Sequence, residues 1–272
     1  DNHFNPFYKA VNYVSAGNFT QAIAEYDRLI EENPDAPWLD SAKLAKVDIM
    51  FDTMSLLTDK NDVMDRIEDI DNYLKDILEK HPDSERLSDI YVRLGYINYL
   101  YLLYGFAQGD GEKISSKIEL CTKYFQKALE ADPTNTMALW NYADLLWKVH
   151  GGDAEHNEFI GSLVQNVQLL DPSQIQDGGM VDYAGGDFEG FRTYNNSIFN
   201  FLPKGTEILL TVTDTNGSPI SQRKMVIEIS NNGSNANGHI GQISQNVMDE
   251  LTGGRAQELG VINVFIQVLP SE

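Results

Sequence analysis

The chain has 272 residues, enough for one large or two smaller domains, each with a core of its own. Its 41 acidic and 20 basic residues give a formal charge of −21, which repels phosphate backbones and anionic lipid surfaces and excludes nucleic acid as an expected partner. No apolar run reaches the roughly 18 residues of a membrane-spanning helix; the richest, YINYLYLLYGFA at 96–107, reads as a buried helix. A single cysteine, Cys121, rules out an internal disulfide and fits either a reducing compartment or a secreted protein that avoids thiols. The opening DNHFNPF carries neither an initiator Met nor a signal peptide, so a mature or trimmed form is expected, its targeting segment removed.

Up to about residue 173 the sequence is helical in pattern. In AVNYVSAGNFTQAIAEYDRLIEENPDAP (10–37), Ala10, Gly17, Phe19, Ala22, Tyr26 and Pro34 fall where two short helices pack closely. Gly17 sits at the turn, Ala22 allows close backbone approach, and Pro34 stops the second helix. This resembles the tetratricopeptide repeat. Similar endings recur at Pro82, Pro133 and Pro172, which predicts four helical pairs. Their intervals exceed the roughly 34 residues of that family's unit, so elongated helices or loops are expected, with GFAQGDGEKISS (105–116) as one such loop. Stacked pairs of this kind form a right-handed solenoid with a concave face, which implies a peptide or protein partner in the groove. Spacer or dimerisation platform is the alternative, and the sequence singles out no groove residues.

Tyr91, Tyr96, Tyr99, Tyr101 and Tyr104 read as core, since a tyrosine fills a gap between helices while its hydroxyl reaches a partner. HGGDAEH (150–156) gathers His150, Asp153, Glu155 and His156, but Asp153 is better explained as a helix cap followed by an acidic first turn. No metal site and no cofactor are expected.

Beyond residue 206 the period becomes two: Ile208, Leu210 and Val212 on one face, Leu209, Thr211 and Thr213 on the other. TNGSP (215–219) supplies a turn, KMVIEIS (224–230) a second strand, IGQIS a third, QNVMDEL (245–251) a short helix and GVINVFIQVL (260–269) a last strand. Several short strands around one small core predict a barrel.

GMVDYAGGDFEGFRTYNNSIF (179–199) resembles the opening segment of the rare lipoprotein A family, G-x-A-S-x-Y-G-x-x-F-x-G-x-x-T-A-x-G-x-x-F, at Gly179, Gly185, Phe188, Gly190, Thr193 and Phe199. LPKGTEILLTVTDTNGSPI (202–220), GHIGQIS (238–244) and LGVINVFIQVL (259–269) are similar to that family's later motifs, in order. The resemblance implies a six-stranded double-psi β-barrel, as in expansins and barwin-like endoglucanases, and action on polysaccharide. Active members resemble lytic transglycosylases, which need a carboxylic acid to protonate the glycosidic oxygen. Here the family's two acids align with Asn231 and Gln242, amides that give up no proton near neutral pH, and the T-A-A-H segment before L-P-x-G-T is missing. Asp182, Asp187, Glu189 and Glu228 are the remaining carboxylates of the region.

The expected architecture is therefore α+β and multidomain: a tetratricopeptide-like α-solenoid over 1–172 and a double-psi barrel over 178–272, with a boundary at 172–178. The candidate barrel cleft comprises Arg192, Thr193, Asn231, Asn232, His239 and Gln242, with no catalytic residue. Three functions stay open: a non-catalytic envelope module whose repeats bind a protein partner and whose barrel binds a glycan such as peptidoglycan or packs on the repeats; a peptidoglycan transglycosylase or hydrolase with relocated carboxylates; and an intracellular interaction scaffold. The first implies a periplasmic or cell-surface location, the protein being either secreted or lipid-anchored through the N-terminus of the precursor.

Overall fold

A computed structural model describes residues 6–151, 153–184, 188–194, 197–214, 218–229 and 239–270. They divide into two compact units, Asp1–Asn135 and Thr136–Glu272.

The first unit contains helices α1 (Tyr8–Ser15), α2 (Phe19–Glu32), α3 (Leu39–Asp52), α4 (Lys60–Lys80), α5 (Leu87–Leu103) and α6 (Gly111–Ala131). They pack as three hairpins, α1 with α2, α3 with α4 and α5 with α6, and successive hairpins touch through α2 with α3 and α4 with α5. In the first hairpin Ala10 and Ala22 are fully buried, so the two backbones approach closely, and Tyr26 seals the gap beside them. Gly17 makes the turn at φ +73°, in the left-handed region that costs other residues energy. Pro34, Pro82 and Pro133 each stand two residues beyond a helix end, where a ring without an N–H breaks no helical bond.

The extra repeat length is mostly helix, since α4 and α6 each have 21 residues. The expected loop at 105–116 is accordingly shorter. Asp110 caps α6 by accepting from the Lys113 N–H at 3.0 Å, and EKISS is helical. Between the second and third hairpins Ile70, Leu74 and Ile77 of α4 interlock with Ile90, Leu94 and Ile97 of α5. Arg93 of α5 adds a two-pronged bond to Asp48 of α3, both contacts 2.8 Å. The tyrosines divide: Tyr99 and Tyr101 are buried, Tyr91 stacks on Tyr124, and Tyr104 lies at the surface.

The second unit begins with helices α7 (Thr136–His150) and α8 (Ala154–Leu170). Asp153 caps α8, accepting from the Glu155 N–H at 3.0 Å and contacting His156 at 3.1 Å, while the rings of His150 and His156 stack. Among the described residues no group of His, Cys, Asp and Glu is arranged to hold a metal ion.

Strands β1 (Gln176–Ala184), β2 (Phe191–Thr193), β3 (Glu207–Thr213), β4 (Pro219–Ile229), β5 (Gly241–Ser244) and β6 (Val261–Val268) close into a barrel in the order β1-β5-β2-β4-β3-β6. Helices α9 (Gln245–Thr252) and α10 (Ala256–Leu259) link β5 to β6. The pairs β1–β5 and β2–β4 are parallel and the other four antiparallel. Exchanging β1 with β4, β2 with β5 and β3 with β6 maps every pairing, sense included, onto another. The pairing pattern of β1–β3 thus repeats in β4–β6 of a closed six-stranded mixed barrel. Val181, Phe191, Ile208, Leu210, Ile227, Ile243 and Ile266 fill the interior.

The barrel also packs on the helical pair of its own unit. Phe201 meets Trp147 edge-on at 5.6 Å and covers Gly161, where a Cβ would lie 3.1 Å from its ring. The segment 172–178, where a boundary was expected, lies inside this unit: Pro172–Gln174 is a 3-10 turn, Ile175 is buried, and its carbonyl accepts from the Val268 N–H at 2.9 Å.

Candidate functional site

Alternation along the strands decides which side chains reach the outside of the barrel. On β2, Phe191 and Thr193 point inward and Arg192 outward; on β1, Val181 is inward and Asp182 outward; on β5, Gly241 and Ile243 are inward and Gln242 outward. The register aligns the outward residues, Asp182 with Gln242 and Gln242 with Arg192. A polar row, Asp182–Gln242–Arg192, therefore crosses three neighbouring strands. Glu228 of β4 extends it, its Oε1 lying 3.6 Å from Arg192 Nη2.

At one end Asp182 is clamped. Its Oδ1 and Oδ2 accept from the Tyr194 hydroxyl at 2.9 and 3.0 Å, and its Oδ2 lies 3.3 Å from His239 Nδ1. Tyr194 follows β2 directly and His239 precedes β5 by two residues, so the strands flanking the row supply the clamp. The carboxylate keeps 21% of its surface exposed. It is fixed in direction yet reachable.

At the other end the Arg192 guanidinium lies 3.6 Å over the Phe188 ring, a cation–π contact that holds it flat. Arg192 Nε and Glu228 Oε2 are both buried, and neither has a hydrogen-bond partner among the described residues. Gly190 is what lets Glu228 approach, because a Cβ there would fall 3.0 Å from the Val226 carbonyl oxygen and against the Glu228 stem. The row thus combines a flat aromatic–guanidinium surface, a fixed carboxylate and an amide. Those groups suit a ligand rich in hydroxyls.

The residues singled out from sequence are distributed as follows. Arg192, Gln242 and His239 belong to the row or its clamp; His239 is 9% exposed, held against Asp182. Thr193 is fully buried on the inner side, where its Oγ1 contacts Asn200 Oδ1 at 3.1 Å, so it faces the core and not the cleft. Asn231, Asn232 and Asp187 lie outside the described residues. Glu189 is paired with Arg223, which also holds Glu250. Phe188, Tyr194 and the Asp182 clamp escaped the sequence reading of the cleft, because Asp182 and His239 are 57 positions apart and meet only through the parallel β1–β5 pairing.

A helical-hairpin array joined to a closed mixed barrel defines the class of this chain. No family model matches it, and no curated protein does. Among solved structures it is similar to TTC0263, a thermophilic TPR protein of Thermus thermophilus, at 15% identity and a TM-score of 0.46, over 63% of this chain and 78% of that one. It is also similar to MamA, at 12% identity and a TM-score of 0.39 over 60% and 75% of the two chains. A third likeness is to MamA from Desulfovibrio magneticus RS-1, at 14% identity and a TM-score of 0.38 over 62% and 76%.

Proposed function

We propose that the protein is a non-catalytic cell-envelope adaptor, its helical hairpins holding a protein partner and its barrel holding a glycan, with peptidoglycan the first candidate. The observation that carries the glycan half is the outward row Asp182–Gln242–Arg192–Glu228, which aligns carboxylate, amide and guanidinium across neighbouring strands. A sugar hydroxyl, donor and acceptor at once, answers the carboxylate, amide and guanidinium of this row. Gln242 stands mid-row where the family it resembles has an acid, and an amide protonates no leaving group. The helical half rests on stacked hairpins of the kind that form binding surfaces and on a charge of −21, which favours a basic or neutral partner.

Co-sedimentation of the whole chain with insoluble peptidoglycan tests this. Retention is expected, falling about tenfold when Arg192→Ala and Glu228→Ala are combined, a loss worth about 1.4 kcal/mol. Absence of retention, or retention indifferent to the double change, overturns it.

A second reading, a transglycosylase or hydrolase, is supported by the Asp182 clamp, since a carboxylate oriented by a tyrosine and a histidine is a plausible acid or base. It requires release of soluble fragments from peptidoglycan that Asp182→Asn abolishes.

A further inference from the structure

Bordered by the end of β3, the starts of β4 and β6, and helices α9 and α10 is a cavity of about 540 Å³. It opens beside Ile220 on β4, and its wall residue Val261 is the register partner of Asp182 on the neighbouring strand, so it adjoins the Asp182 end of the polar row. The volume falls within the range of small-molecule sites, about 300–1,000 Å³. Its apolar walls are Val212, Ile220, Leu251, Leu259, Val261 and Ile262. Two of these are open to water: Ile220 is 61% exposed and Leu259 39%. Branched side chains left wet beside a cavity bury favourably against any apolar body that enters.

The cavity wall also carries a cation with no carboxylate against it among the described residues. Of the chain's seven arginines, Arg28, Arg86, Arg93, Arg192 and Arg223 each lie against a carboxylate, and Arg66 donates to the Thr53 hydroxyl. Arg255 lies on the cavity wall, where its Nε reaches the Thr252 carbonyl at 3.2 Å. Arg66 and Arg255 are thus the two arginines without a carboxylate against them among the described residues, and of these Arg255 stands on this wall. The Gly253–Gly254 pair, at φ +68° and +84°, turns the chain out of α9 and brings Arg255 to this wall. Asp214, the other charged residue lining the cavity, accepts from the Ser218 N–H through its carboxylate at 2.8 Å.

We infer that this cavity binds a small amphipathic carboxylate, its aliphatic body against Ile220, Leu251 and Leu259 and its carboxylate on the guanidinium of Arg255. The planar guanidinium fork matches a carboxylate in shape as well as charge.

The test is calorimetric titration of the whole chain with octanoate and, as the uncharged control of equal length, octan-1-ol. Octanoate is expected to saturate one site, at least tenfold tighter than the alcohol, with the margin shrinking at high salt. Arg255→Gln is expected to erase the margin, and Leu259→Trp to block both ligands, with unchanged melting temperatures showing that both variants fold. The proposal is overturned if octanoate does not saturate, if the alcohol binds equally well, if Arg255→Gln keeps the margin, or if a folded Leu259→Trp still binds.

Discussion

Glu25 of α2 shows how single residues carry this highly acidic chain. Its carboxylate is buried against Arg28 on its own helix, at 2.6 Å, and Lys9 on α1, at 2.8 Å. Hydrogen bonds from Arg28 and then Lys9 hold its pKa down, from 4.5 to about 2. A carboxyl depressed in the folded state stabilises it above the unfolded pKa and loses that stabilisation as pH falls through the folded one. Both cations are about half exposed, so screening limits the contribution to about 1 kcal/mol. Glu25→Gln is therefore expected to cost about 1 kcal/mol in denaturant melts at pH 7, and progressively less as pH falls from 5 toward 2. A penalty constant over that range would assign the effect to packing instead.

At the scale of elements, much was legible because local chemistry punctuates the chain. Pro34, Pro82, Pro133 and Pro172 mark the ends of α2, α4, α6 and α8, each two residues beyond the last helical residue, and Asp153 caps α8 as its sequence position implies. Period two placed β3 and β6 for the same reason. What stayed hidden depends on contacts distant in sequence. The pairing of β1 with β5 creates the Asp182 clamp, and no local pattern encodes a parallel register. Gly241 is another such case. As a residue it is one of 21 glycines; in the barrel a Cβ there would strike the Phe191 ring and lie 2.7 Å from the Arg192 carbonyl oxygen. Gly241→Ala is expected to destabilise the second unit by about 2 kcal/mol, as overpacking a closed core does. A melting midpoint unchanged by the substitution would mean that β5 and β2 are not so tightly apposed.

For the whole molecule, domain organisation and function are the two claims at stake. The composition change near residue 173 points to a boundary at 172–178, yet Phe201 packs on Trp147 and Gly161, Gln168 donates to Thr206, and Ile175 pairs with Val268. Composition reports secondary-structure type, and a helical pair can belong to a β core. A fragment spanning 136–272 is expected to fold cooperatively, whereas 178–272, which exposes the face around Phe201 and loses the fully buried Ile175, is expected to be less stable by about 2–5 kcal/mol, the usual cost of losing a buried aliphatic side chain. Equal stability of the two fragments would place the boundary at 172–178. The central claim is that the barrel grips a glycan without cutting it. The most direct measurement incubates purified peptidoglycan with the whole chain and reads retained protein and released soluble muropeptides in the same sample. The account predicts retention that drops about tenfold in the Arg192→Ala, Glu228→Ala protein, with no release, since loss of a general acid commonly costs about 10²–10⁴ in rate. Release of muropeptides by the unmodified protein, abolished by Asp182→Asn, would contradict it.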